Sequence, residues 1–157
     1  MKTRITLTII FLAWNYHLIA QNSACDRIFN IYAGTKGFTT LNISGNLLDE
    51  ILGDEISKSD CSISSVKILV ADDSNNQNFN FYKEVVPNLD RKEYEELMTV
   101  KNSGNDFIIL CKKDRKRITE LIMVSGGDNN SLIYVKGSIS LSDARKISQK
   151  MSGGDNF

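Results

Sequence analysis

Apolar residues recur along the chain with two different spacings, and these spacings predict where helices and strands form. A spacing of three or four positions is typical of helices with one buried face, whereas alternating or continuous apolar runs are typical of strands. Helices are predicted at residues 23–33, 46–52, 79–86, 90–98 and 140–151. Strands are predicted at residues 38–44, 65–71, 106–111, 118–125 and 132–138.

The last three predicted strands are joined by short connections, residues 112–117 and 126–130. Because short connections join antiparallel neighbours, these strands are expected to form a meander. Either Ser140 or Ser142 caps the helix that follows. We therefore expect one α+β domain over residues 21–151, with helices packed on a single five-stranded, largely antiparallel sheet. Residues 152–157 are expected to form a flexible tail.

Residues 1–20 have the layout of a secretory signal peptide rather than of a folded element. Two cations near the start precede a mostly apolar run that ends in a small residue, Ala20. The run is shorter than the roughly 20 residues of a membrane-spanning helix, so an uncleaved anchor is the less favoured alternative. We expect cleavage after Ala20, which leaves Gln21 as the first residue. Cleavage before Cys25, which would make Cys25 a lipid-bearing terminus, is the other alternative.

The expected cleavage changes the composition of a chain that at first looks neutral. The full sequence has 157 residues, 19 cations and 19 carboxylates. Removal of 20 residues, two of them cationic, leaves 137 residues with 17 cations and 19 carboxylates, a net charge of −2. His17, the only histidine, leaves with this segment. Ser-His-Asp and Cys-His catalysis, and zinc hydrolysis on histidine ligands, are therefore excluded from the mature chain.

The sequence implies no cofactor and no metal. It contains no Cys-x-x-Cys pair, no Walker loop and no Gly-x-Gly-x-x-Gly run. Residues 72–76 and 128–130 are rich in Asp and Asn but lack the spacing of a calcium loop, so we interpret them as turns.

An exported protein enters an oxidising compartment, where Cys61 and Cys111 could pair if Cys25 carries lipid. The favoured interpretation is that Cys111 is a small buried hydrophobe.

A short basic segment is the sharpest charge feature. Its members are Lys112, Lys113, Arg115, Lys116 and Arg117. One hypothesis is contact with anionic lipid headgroups, surface polysaccharide or phosphate. The favoured interpretation is a solvated hairpin turn whose charges protect the sheet from aggregation. Nucleic acid is not an expected partner, because the chain is slightly acidic and no aromatic residues lie between the cations.

Several segments together resemble one known family. They are YEELMTVK (94–101), FIILCKK (107–113), ITELIMVS (118–125), residues 133–141 and, more loosely, residues 29–43. This pattern resembles domain-of-unknown-function family 4252, over most of residues 24–150. The resemblance implies a small exported protein of a group found mainly in Bacteroidota, some members with lipoprotein signals. It implies no activity and no catalytic residue. At Asp114-Arg115 the chain departs from the Asp-Gly turn expected of the family.

These observations favour a non-enzymatic binding or interaction module in the periplasm or outer envelope, with secretion as a further destination. We expect it to bind an envelope protein or surface component through a helix-free sheet face or by strand addition at a sheet edge. The alternatives are a carboxylate-dependent hydrolase of envelope glycans and a carrier of small apolar ligands. No transmembrane span is expected in the mature chain, and lipid on Cys25 is the one expected route to a membrane.

Overall fold

A computed structural model of the protein describes residues 23–44, 61–72 and 78–151, together with residues 47 and 50. The expected signal peptide and C-terminal tail lie outside the described residues, as does most of the helix expected at residues 46–52. The turn expected at residues 72–76 also lies outside them except for Asp72, and all other predicted helices and strands lie within them.

The core of the fold is one antiparallel sheet with the strand order β1-β2-β6-β5-β4-β3. The strands are β1 (Phe38–Ser44), β2 (Ser62–Ala71), β3 (Glu95–Val100), β4 (Phe107–Asp114), β5 (Arg117–Ser125) and β6 (Ser131–Ile139). The expected meander is confirmed, because β4 pairs with β5 and β5 pairs with β6. The described part of the chain contributes six strands to this sheet, so the expectation of five was wrong.

The additional strand is β3, which lies where the spacing of Tyr94, Leu97 and Met98 predicted a helix. The expected helix would turn all three of these side chains inward; Tyr94 is buried, but Leu97 and Met98 are exposed. The segment instead pairs with β4, which gives its backbone groups partners in the sheet. The local pattern is compatible with both structures, and tertiary pairing outweighs a weak helical preference.

Three α-helices that lie wholly within the described residues pack on the sheet: α1 (Ala24–Tyr32), α2 (Phe81–Val85) and α3 (Leu141–Met151). Ser23 caps α1, since its hydroxyl accepts the Asp26 N–H at 3.1 Å. Ser140 is the residue that caps α3, by accepting the Asp143 N–H at 3.1 Å. Gly34 follows α1 with φ 74°, a conformation that glycine adopts readily at a helix end.

Helices cover both faces of the sheet. Cys25 and Phe29 of α1 and Phe81 of α2 pack on the face that carries Leu69 and Tyr134. Ala144 and Ile147 of α3 pack on the opposite face, which carries Leu121, Met123 and Val135. Within the described residues neither face is free of helices, so the expected helix-free binding face is not present. Each strand of the meander is accordingly apolar on both sides.

Candidate functional site

The basic segment forms the β4–β5 hairpin, and three of its five cations have partners within the domain. Lys112 Nζ lies 2.8 Å from Glu93, Lys113 forms an ion pair with Glu95, and Arg117 Nε donates to Ser138 at 3.0 Å. The hydrogen bond to Glu93 raises the pKa of Lys112, so this cation stays charged and paired. Contact with an anionic surface remains a prediction for the hairpin as a whole.

Arg115 and Lys116 occupy the turn of this hairpin and are exposed. Arg115 has φ 55°, the one positive value among the described non-glycine residues. It stands at the position where the family resemblance led us to expect glycine.

The structure does not bring Cys61 and Cys111 together. Cys61 precedes β2 and Cys111 lies in β4, and β6 and β5 lie between these two strands. Three strand spacings amount to about 14 Å, whereas a disulfide needs Cα atoms within about 7 Å. No disulfide joins the described cysteines. Cys111 is fully buried, as its favoured interpretation as a core hydrophobe requires.

Cys25 lies inside the first turn of α1 and is fully buried. Burial, followed by the charges of Glu120 and Asp26, raises the pKa of its thiol far above the ordinary range. The thiol is therefore protonated and shielded, which makes it a poor nucleophile. A lipid chain on this atom would require the side chain to leave the core.

A polar cluster surrounds the start of α1 on the sheet surface. We call it the α1 cluster, and its members are Ser23, Asp26, Lys67, Tyr94, Glu120, Tyr134 and Lys136. Its first part is an ion triad, in which Lys67 Nζ lies 2.8 Å from one oxygen of Asp26 and Lys136 Nζ 2.7 Å from the other. Burial by itself would raise the pKa of Asp26, but the hydrogen bonds and charges of the two lysines outweigh it and hold the pKa below its usual value.

The second part of the α1 cluster is centred on Glu120 of β5. The Tyr94 and Tyr134 hydroxyls donate to the same oxygen, Glu120 Oε2, at 2.7 Å and 2.6 Å. The Tyr134 hydroxyl also lies 2.8 Å from Ser23 Oγ, which links the sheet to the cap of α1. Burial and these hydrogen bonds to Glu120 raise the pKa of both phenols. Both therefore remain protonated donors at neutral pH.

The ion pairs and hydrogen bonds of the α1 cluster hold α1 against the sheet. Asp26 is an ionised carboxylate shared by two lysines, and the two phenols are held protonated. A glycosidase acid needs a carboxyl group whose pKa is raised, and Asp26 shows the opposite direction. No sequence motif marks the members of this cluster, and the neighbouring Cys25 was the one candidate site residue beside it. The signal that could have revealed the cluster is a charged residue at an inward strand position, such as Lys67, Glu120 or Lys136.

The second feature with functional potential is the edge strand β1. Its seven residues, FTTLNIS, carry no charge, and its pairing with β2 runs from Phe38 to Ser44 without a bulge. Ile43 is its one buried residue, and Leu41 is 50% exposed. Val70 of β2 is also exposed, and it lies diagonal to Leu41 on the same face. We call this set of outward backbone groups and two exposed apolar side chains the β1 edge.

The direction of the backbone groups in β1 follows from one hydrogen bond. The Asp72 N–H donates to the Gly37 carbonyl at 3.0 Å, so residue 37 points its backbone groups toward β2. Because these groups alternate along an antiparallel strand, every second residue points them outward. The outward residues are Phe38, Thr40, Asn42 and Ser44. The Phe38 N–H already donates to Thr35 at 3.1 Å; the other three N–H groups have no backbone partner among the described residues.

β3 forms the opposite edge of the sheet, and it carries features that discourage the pairing of a further strand. Glu95 and Glu96 begin the strand, Lys101 follows it, and the register with β4 shifts between Glu96 and Met98. Edge charges and bulges of this kind discourage the pairing of a further strand. The β1 edge has neither, and this contrast makes it the candidate functional site of the described domain.

Comparisons with known proteins identify a family over most of the chain. The model of a family described as a domain of unknown function (DUF4252) matches residues 32–147. The match extends from the end of α1 into α3 and includes all six strands, and it confirms the resemblance noted in the sequence. No curated protein and no solved structure matches. Within the described ranges, none of the helices has the length and apolarity needed to cross a membrane.

Proposed function

The chain belongs to the DUF4252 family, and we propose that this member is an exported, non-enzymatic interaction module that binds its partner at the β1 edge. The observation that carries the proposal is the state of β1: an edge strand with no charge, no proline and no bulge. Proteins usually protect such an edge, and strand addition is an established mode of recognition. An edge that stays open is therefore best explained by a partner.

The α1 cluster supports a non-enzymatic role. Its ionised, lysine-paired Asp26 and its protonated Tyr94 and Tyr134 serve to fasten α1 to the sheet. A hydrolase would need one carboxyl group poised as an acid, and the pKa of Asp26 is shifted away from that state.

Export from the cytoplasm, and residence in the periplasm or outer envelope, rest on the pattern of residues 1–20. The burial of Cys25 in the core, and the use of Ser23 as the cap of α1, favour cleavage after Ala20 over cleavage before Cys25. Cell fractionation and mass spectrometry of the mature N-terminus test this part of the proposal. We expect Gln21 as the first residue of an envelope protein, and a cytoplasmic protein or a lipidated Cys25 would contradict it.

A proline at position 40 tests the binding site, because proline has no backbone N–H to donate to a partner strand. The Thr40 N–H points away from β2, so the substitution leaves the pairing of β1 with β2 intact. We propose cross-linking in intact cells that express tagged wild-type, Thr40→Pro or Leu141→Lys protein. Leu141 is a matched control, since it is 54% exposed and lies on α3. The wild type and Leu141→Lys should cross-link to the same partner, and Thr40→Pro should lose it. A partner that Thr40→Pro retains would place the binding site elsewhere.

A further inference from the structure

We infer that the strand received by the β1 edge comes from a second copy of this chain, which pairs antiparallel to β1 across a twofold axis at Leu41. This inference rests on the proposed function, because it names the partner of the same edge. Three independent properties of β1 point to self-pairing: the direction of its backbone groups, the position of its exposed apolar side chains, and its lack of charge.

The backbone groups match in one centred register. When Leu41 lies opposite its own copy, Thr40 lies opposite Asn42 of the second chain and Phe38 lies opposite Ser44. These four residues are the ones that point their backbone groups outward, so each facing pair is a hydrogen-bonded pair. The Ser44 N–H meets the Phe38 carbonyl, and the Phe38 N–H needs no new acceptor because it already donates to Thr35.

The apolar side chains form a continuous surface in the same register. Leu41 points its backbone toward β2, so the two copies of Leu41 form a non-hydrogen-bonded pair with Cα atoms about 4.5 Å apart. Each Leu41 is also diagonal to Val70 of its own chain. The 50% exposed Leu41 of one copy thus meets that of the other across the axis, and the 38% exposed Val70 extends the apolar surface behind it within each copy. Pairing removes part of the exposed Leu41 surface from water.

The absence of charge makes β1 better suited than β3, the other edge strand, to pair with a second copy of itself. In a strand that pairs antiparallel with its own copy, a charge at or next to the axis lies opposite or diagonal to a like charge, which is destabilising when the two are directly opposed. β1 has no charged residue from Phe38 to Ser44. β3 has Glu95 and Glu96 and an irregular register, so pairing of β3 with itself is disfavoured.

Charged substitutions of Leu41, the residue on the proposed twofold axis, test the inference on the purified mature protein. Sedimentation velocity over a wide range of concentration should show a monomer–dimer equilibrium for the wild type. Leu41→Lys and Leu41→Glu each place two like charges face to face, and each should weaken association by about tenfold or more. An equimolar mixture of the two variants should associate again, because Lys then faces Glu. Leu141→Lys, the matched control, should behave as the wild type.

Circular dichroism of each variant verifies that its fold is retained, and Thr40→Pro provides a second test that does not depend on charge. A wild type that stays monomeric overturns the inference, and so does a dimer that Leu41→Lys, Leu41→Glu and Thr40→Pro leave unchanged. A mixture of Leu41→Lys and Leu41→Glu that remains monomeric overturns the register centred on Leu41. If the wild type is monomeric but captures a different protein through Thr40, the inference fails while the proposed function stands.

Discussion

The Tyr134 hydroxyl donates to Glu120 Oε2 over 2.6 Å, from β6 to the neighbouring strand β5. The same hydroxyl lies 2.8 Å from Ser23 Oγ, so it joins two strands to the cap of α1. Tyr94 donates to the same carboxylate oxygen from the segment that precedes β3. One half-buried carboxylate therefore ties together parts of the chain that are distant in sequence.

Removal of the Tyr134 hydroxyl should destabilise the domain. We expect Tyr134→Phe to lower the free energy of unfolding by about 1.5–3 kcal/mol, the range for a hydrogen bond to a charged group. Urea denaturation measures this change. Tyr82→Phe is the matched control, because the Tyr82 hydroxyl has no hydrogen-bond partner among the described residues. Equal stability of the two variants would show that the Glu120 bond contributes nothing.

The Asp26 triad should make stability depend on acid pH. The folded pKa of Asp26 lies below its ordinary value of 3.8 because of Lys136 and Lys67. A depressed pKa contributes stability that is complete above the ordinary value and is lost as the pH falls through the folded one. The difference in unfolding free energy between the wild type and Asp26→Asn should therefore be largest at neutral pH and shrink below about pH 4.

Urea denaturation at a series of pH values measures this difference. Lys136→Met removes one of the cations that hold the pKa down, so the pH dependence should be weaker in that background. A difference between the wild type and Asp26→Asn that stays constant from neutral pH to pH 3 would contradict this account of the triad.

Glycine in the β4–β5 turn should stabilise the protein. Arg115 has φ 55°, a conformation that costs a residue with a side chain about 1–2 kcal/mol. Glycine adopts it readily but loses more chain entropy on folding, so we expect Arg115→Gly to gain about 0.5–1 kcal/mol. Lys116→Gly is the control, since Lys116 has no positive φ, and it should not stabilise the domain. Thermal denaturation distinguishes the two variants, and equal shifts would contradict the backbone explanation.

Asn130 should be the most sensitive residue of the β5–β6 connection. It is 1% exposed; its Oδ1 accepts the Phe81 N–H at 2.8 Å and its Nδ2 donates to the Phe79 carbonyl at 2.7 Å. Asn130→Ala leaves both backbone groups without these partners, which should cost about 2–4 kcal/mol. Asn129→Ala, at the exposed neighbouring position, should cost far less. Comparable losses in the two variants would argue against the role of the Asn130 amide.

The sequence by itself determined the elements whose burial is visible as local periodicity. The continuous apolar runs of β5 and β6 and the helical spacing in α1 and α3 reflect which side chains are buried, so these elements and the antiparallel meander were predicted correctly. The short connections fixed the neighbours of β5, because a few residues cannot link distant strands. The burial of Cys111 within an apolar run followed in the same way.

Only the tertiary structure decided the features that depend on residues far apart in the chain. The segment with Leu97 and Met98 became β3 because β4 offered it a pairing edge, and no local pattern contains that information. The bond between Tyr134 and Glu120 needs the β5–β6 register and the position of α1 together. β1 became an exposed edge because the strand order placed it outermost, and strand order is a property of the assembled sheet, not of any one strand.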